Sequence, residues 1–194
     1  MNQEFISRLI PKNPKLILIL GGSNSGKSEI AERLSLALNE NYNNPNKVVY
    51  AATAPTNWVK SDNDFYNKVN HHIVRRKDFF DLLEVGDSVA NLVNFLKEDK
   101  VCLVDSISTW LGVLNNDPDA QKNLIDVLKN RNKLAVFVSD EVGLSIHPDN
   151  RTSIVYRETL GKFNQQLSDV SDVSMLAVAG KIIVLQDIFK VELD

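Results

Sequence analysis

Runs of apolar residues punctuated by glycine, serine and asparagine organise the chain. Residues 16–20 are apolar at every position, which predicts a strand buried on both faces rather than one facing water. After a glycine- and serine-rich break, residues 28–38 change to a helical period. Ile30, Ala31, Leu34 and Leu38 share a face there, with Glu29, Glu32 and Arg33 away from it. Further strands are predicted at 48–52, 101–104 and 134–138, and two more at 175–179 and 182–185. Gly180-Lys181 separates the last pair as an expected hairpin turn at the sheet's edge. Helical stretches fall at 64–72, 88–97, 120–130 and 151–168, and the asparagine-rich 39–46 reads as a solvated loop. Strands alternating with helices predict an α/β fold with a central, mostly parallel sheet and an antiparallel C-terminal edge strand. With no internal repeat or flexible linker, the expected organisation is an N-terminal extension (1–15) followed by one domain (16–194).

Composition narrows the classes of partner. A formal charge of −3 offers no general attraction for nucleic acid or an anionic membrane surface. The apolar run at 16–20 is far too short for a membrane span or signal-peptide core, so a cytoplasmic protein is expected. The one cysteine, Cys102, lies in an apolar run and reads as an inert buried thiol.

The strongest chemical signal is the octet Gly21-Gly22-Ser23-Asn24-Ser25-Gly26-Lys27-Ser28. It matches the P-loop pattern G-x-x-x-x-G-K-S/T and sits between a buried strand and an amphipathic helix. Glycines let successive backbone N–H groups point at phosphate oxygens, and the helix N-terminus adds a favourable dipole. Lys27 is then expected on the β and γ phosphates of ATP or GTP, and the Ser28 hydroxyl on Mg²⁺, giving a P-loop NTPase-like domain. Asp105 closes the strand 101–104 and is the natural magnesium partner, its competing reading being a cap on the turn that follows. Asp140-Glu141 also follows a strand, so both carboxylates either face the site or form a plain turn made possible by Gly143.

Two of the three histidines are adjacent, His71 and His72, with Arg75 and Arg76 after them. At about 100° per residue, Phe65, Val69 and His72 share one stripe of the predicted helix and His71 points away. His72 therefore reads as packed. His71 is either merely solvated or free to meet a ligand, and the guanidinium groups beside it suit phosphate. His147 reads as a loop residue without a role.

Several segments together resemble the bifunctional adenosylcobinamide kinase/adenosylcobinamide-phosphate guanylyltransferases. They are the octet 21–28, Val49-Tyr50-Ala51-Ala52-Thr53-Ala54, Lys68-Val69-Asn70-His71-His72 and the stretch 103–111. Ser139-Asp140-Glu141-Val142-Gly143, Pro148-Asp149-Asn150-Arg151, Arg157 and Gly161-Lys162-Phe163-Asn164-Gln165 continue the series in the family's order. The resemblance implies phosphorylation of adenosylcobinamide by an NTP, then transfer of GMP from GTP to the phosphate through a guanylyl-histidine at His71. It also implies nucleotide contacts at Thr53, Asp105 and Glu141 besides the octet, catalysis by Lys27 and His71, magnesium at Ser28 and Asp105, and a homo-oligomer, a trimer in the family. The chain departs from the usual family pattern at Arg75-Arg76-Lys77, where Arg-Pro is common, at Asp140 in place of Asn, and at Ser145-Ile146-His147-Pro148. It also has Ile154 where a basic residue is common. Two other readings remain compatible with the octet: a P-loop kinase of another substrate class, and a nucleotide-dependent regulatory module.

Overall fold

In the computed structural model, which describes residues 6, 8–54, 76–86, 88–114, 117–145 and 148–185, strand β1 (Leu16–Gly21) is buried along its whole length. Leu16, Leu18 and Leu20 point into one core and Ile17 and Ile19 into the other. This two-faced burial explains the unbroken apolar run. The sheet has seven strands in the order β3-β2-β4-β5-β1-β6-β7. Its members are β2 (Val48–Ala52), β3 (Phe80–Glu84), β4 (Cys102–Asp105), β5 (Ala135–Asp140), β6 (Val173–Val178) and β7 (Lys181–Leu185). All pairings are parallel except β6 with β7, so the expected α/β architecture with an antiparallel C-terminal edge is what the structure has.

Helix α1 (Lys27–Asn41) covers one face with Ala31, Leu34 and Leu38. Ile6 and Ile10, from the stretch read as an N-terminal extension, are buried in that same layer. The other face is covered by α2 (Val89–Lys97), α3 (Ile107–Val113), α4 (Pro118–Lys129) and α5 (Arg151–Val170). Trp110 of α3 and Phe163 of α5 stack there with ring centroids 6.2 Å apart. Among the described residues no helix is long and apolar enough to cross a membrane.

Local chemistry sets the helix starts. Asp117 caps α4 by accepting from the N–H groups of Asp119 and Ala120, and Pro118 occupies the first turn, where its missing N–H costs nothing. Asn150 caps α5 through Ser153 N–H at 2.8 Å. At the sheet edge away from the strand ends that carry the P-loop, the buried Arg131 guanidinium donates to the carbonyls of Leu96 and Lys100. The Asp99 carboxylate accepts from Asn132 and Lys133 N–H nearby.

Several expectations need correction, among them the solvated loop at 39–46, whose first residues belong to α1 with Asn39 buried. Strand β3 has no counterpart in the pattern reading: Phe-Asp-Leu-Leu-Glu is a half-exposed edge strand with too little apolar content to announce itself. The hairpin turn is Ala179-Gly180, one residue earlier than expected, with φ of 51° and 72°. Placing Gly180 second lets the turn take two positive φ values, which matches the twist of the flanking strands. Glu32, expected on the polar face of α1, is buried because Arg76 reaches it from elsewhere in the chain. The predicted helix 64–72, and with it His71 and His72, lies outside the described residues, as does His147.

Candidate active site

Because β1, β2, β4 and β5 run parallel, their C-terminal ends bring Gly21, Thr53, Asp105 and Asp140 to one edge of the sheet. In sheets of this kind ligands bind in the crevice beyond these ends. The octet turns from β1 into α1 there. Ser25 N–H donates to the Gly22 carbonyl at 3.3 Å, and Asn24 and Gly26 adopt left-handed φ of 55° and 91°. The turn is packed closely from behind: Gly180 N–H donates to the Ser25 carbonyl at 2.9 Å, so the β6–β7 hairpin braces the loop. Ser23 and Asn24 are exposed at its tip, and Ser28 is half-buried in the first turn of α1.

Lys27 folds back over this loop. Its Nζ donates to the Gly22 carbonyl at 3.0 Å and pairs with Asp140 Oδ1 at 2.8 Å. The other Asp140 oxygen accepts from the Ser108 hydroxyl at 2.5 Å. Asn164, buried on α5, holds the end of β5 by accepting from Ser139 Oγ at 2.7 Å and donating to the Asp140 carbonyl at 3.1 Å. That gives the Gly-Lys-Phe-Asn-Gln segment a structural task beside the site. Of the two readings for Asp140-Glu141, each residue takes one. Asp140 faces Lys27, while Glu141 turns back to accept from Gly143 N–H at 2.8 Å.

Asp105 ends β4 in a mostly buried setting. Its Oδ2 accepts from the Tyr50 hydroxyl at 2.5 Å and lies 3.7 Å from Arg76 Nη2. Burial, and then the Asp105 charge, push the Tyr50 phenol well above its ordinary pKa, so Tyr50 stays a proton donor to that carboxylate. Capping of α3 falls to Ser106, which accepts from Thr109 N–H, so the Asp105 side chain is not the cap of that helix. Thr53 is 1% exposed, and its hydroxyl both accepts from Ser106 N–H at 2.8 Å and donates to the Ser106 carbonyl at 2.7 Å. In this state Thr53 ties β2 to β4 rather than opening to a ligand.

Arg76 differs from its expected role. From the sequence it is either a group suited to phosphate or an ordinary charged helix end; in the structure its guanidinium is buried against Glu32 at 2.8 and 2.7 Å and lies 3.9 Å from the Tyr50 ring centroid. Glu32, Arg76, Tyr50 and Asp105 thus form one buried polar chain from α1 to the end of β4. The sequence pattern assigns no site role to Glu32 or Tyr50: Glu32 falls on the polar side of the α1 period, and only the approach of Arg76 buries it with the cationic partner a buried carboxylate needs.

Ser28 and Asp105 offer the hard oxygen donors that Mg²⁺ takes. No group of three or more His, Cys, Asp or Glu suited to a metal occurs among the described residues. Mg²⁺ takes a near-octahedral set of oxygens, so Ser28 and Asp105 would leave positions for nucleotide phosphate oxygens and water. Cys102 is buried, and desolvation pushes its thiol up to about 11, in keeping with an inert role. A groove of about 550 Å³ between α2 and α4, lined by Val93, Ala120 and Val127 among others, shares no residue with the site.

Residues 17–185 match the family model described as cobinamide kinase / cobinamide phosphate guanyltransferase. The chain is 25% identical over 185 residues to the bifunctional adenosylcobalamin biosynthesis protein CobU of Escherichia coli (strain K12), covering 85% of this chain and 96% of that one. It is 30% identical over 170 residues to the bifunctional adenosylcobalamin biosynthesis protein CobP of Pseudomonas aeruginosa, covering 84% of this chain and 92% of that one. Among solved structures, the flagellar accessory protein FlaH of Methanocaldococcus jannaschii matches in fold, with a TM-score of 0.51 and 17% identity over 93% of this chain and 80% of that chain.

Proposed function

The chain belongs to the cobinamide kinase / cobinamide phosphate guanyltransferase family, and from that premise we propose that it serves cobalamin biosynthesis through two transfers at the P-loop edge of its sheet. In the first, the hydroxyl of adenosylcobinamide attacks the γ phosphorus of an NTP, giving the phosphate ester and NDP and releasing the hydroxyl proton. In the second, His71 attacks the α phosphorus of GTP and expels pyrophosphate. The phosphate of adenosylcobinamide phosphate then takes GMP from the imidazole, giving adenosylcobinamide-GDP and regenerating His71. Splitting nucleotidyl transfer into two displacements suits a neutral imidazole nucleophile.

The observation that carries the reading is the placement of Lys27. The Gly21–Ser28 turn delivers its ammonium to the strand ends beside Asp140, and neighbouring β4 ends on Asp105 at the same edge of the sheet. Lys27 would offset charge on the β and γ phosphates, and Mg²⁺ held by Ser28 and Asp105 would supply further charge neutralisation. The guanylyl step rests on family membership and on the His71-His72 segment.

The test is incubation with Mg²⁺ and GTP labelled at either the α or the γ phosphate, followed by denaturation. Acid-labile label retained from the α position alone, and lost in His71→Ala, is the expected result. A protein that binds GTP yet retains no α label would count against the guanylyl step and favour a P-loop kinase acting alone over the two-transfer reading.

A further inference from the structure

The partner of Lys27 is fixed in place, unlike an ordinary surface counter-ion. Asp140 pairs with Gly21 in the β1–β5 register, so its backbone is part of the sheet's interior ladder. Asn164 Nδ2 holds its carbonyl, and the Ser108 hydroxyl holds Oδ2. These contacts leave Oδ1 aimed at Lys27 Nζ, whose side chain is only 13% exposed. A lysine ammonium has three donors and no acceptor. Here two of its directions are taken, one by the Gly22 carbonyl and one by Asp140.

We propose that Asp140 is the resting counter-ion of Lys27, standing where a β- or γ-phosphoryl oxygen sits when nucleotide is bound, and that it thereby sets nucleotide affinity. The proposal rests on reading this edge as an NTP site. A phosphate group reaching Lys27 must break the pair with Asp140, and once it has done so a carboxylate remains beside it. Both effects weaken binding of any nucleotide that extends to Lys27. A nucleoside monophosphate has no β or γ group to meet the lysine, so it escapes both. Asp140 thus loosens the hold on di- and triphosphates selectively, which favours release of a spent diphosphate.

The experiment is equilibrium binding of GTP, GDP and GMP, without Mg²⁺ so that no guanylyl transfer consumes the GTP, to wild type, Asp140→Asn, Lys27→Met and the double variant, at low ionic strength. Asn keeps the size and shape of the side chain while removing its charge and one acceptor, and thermal melting confirms that each variant is folded. The expected result is that Asp140→Asn binds GTP and GDP about tenfold more tightly, a shift of about 1.4 kcal/mol, with GMP unchanged. That gain should vanish in the Lys27→Met background, because there is no ammonium left to release. Unchanged or weaker GTP binding in Asp140→Asn overturns the proposal, and so does an equal gain with and without Lys27, which would mark a general charge effect. Wild type that binds none of the three nucleotides overturns the reading of the site itself, and the proposal with it.

Discussion

Replacing Arg76 with methionine removes the cation from a buried polar chain while keeping much of the side chain's length. In the native protein Arg76 and Glu32 side chains are only 10% and 9% exposed, with guanidinium nitrogens 2.7 and 2.8 Å from Glu32 Oε1. Neither charge is well solvated, so the pair as a whole adds little net stability over an apolar pair, but removing one member leaves the other charge buried. That costs roughly 3–5 kcal/mol. The lost approach of the guanidinium to the Tyr50 ring, at 3.9 Å from its centroid, acts in the same direction. For a chain of 194 residues, at about 2–4 °C per kcal/mol, the melting temperature should fall by about 6–20 °C. Urea unfolding followed by near-ultraviolet circular dichroism provides the free energy, since Trp110 is buried and stacked in the core. Glu32→Gln should show the same direction from the other side. Glu32→Leu combined with Arg76→Met should recover part of the loss, because the buried Glu32 carboxylate is then gone, while Asp105 still lacks the Arg76 cation 3.7 Å away. An Arg76→Met protein within about 1 kcal/mol of wild type, the value expected of an exposed pair, would refute the argument. So would a double variant whose losses simply add.

Two further outcomes follow from backbone and charge placement. A β-carbon on Gly21 would lie 2.8 Å from the Ala177 carbonyl of β6, which cannot rotate away, whereas Gly22 has nothing within 4 Å. Gly21→Ala should therefore cost about 1–3 kcal/mol by overpacking and weaken GTP binding, while Gly22→Ala leaves stability within about 0.5 kcal/mol. Equal melting temperatures for the two variants would contradict this. Asp99 is the pH-sensitive staple at the opposite edge. Burial acts to raise its pKa, but the N–H groups of Lys133 and Asn132 and the Arg131 charge outweigh it, so the net shift is downward. A depressed carboxylate stabilises the fold above its unfolded pKa and loses that contribution as pH falls through the folded value. The stability advantage of wild type over Asp99→Asn should therefore shrink as pH drops below the ordinary carboxylate range. An advantage that stays constant from neutral pH into acid would show that the ionised form is not what matters.

The elements that define the fold were legible because their signals are local. Full burial of β1 demands apolar residues at every position, α1 needs an apolar stripe, and the turn between them needs Gly26 for its left-handed φ. Residue order alone therefore determined the Gly21–Ser28 turn between β1 and α1, most of the sheet and the antiparallel edge. His71 likewise rests on sequence and family, since it falls outside the described residues. Edge strand β3 escaped notice because half-exposed positions relax the apolar requirement. Tertiary structure decided the charges. Glu32 is buried because Arg76, 44 positions later, comes to it; Thr53 is committed to Ser106, 53 positions away; and Lys27 meets Asp140 only because β5 lies beside β1. Periodicity records which face of an element is apolar, not which distant group approaches its polar face. A buried ion pair or a counter-ion at a strand end is set by strand order, which local patterns do not carry.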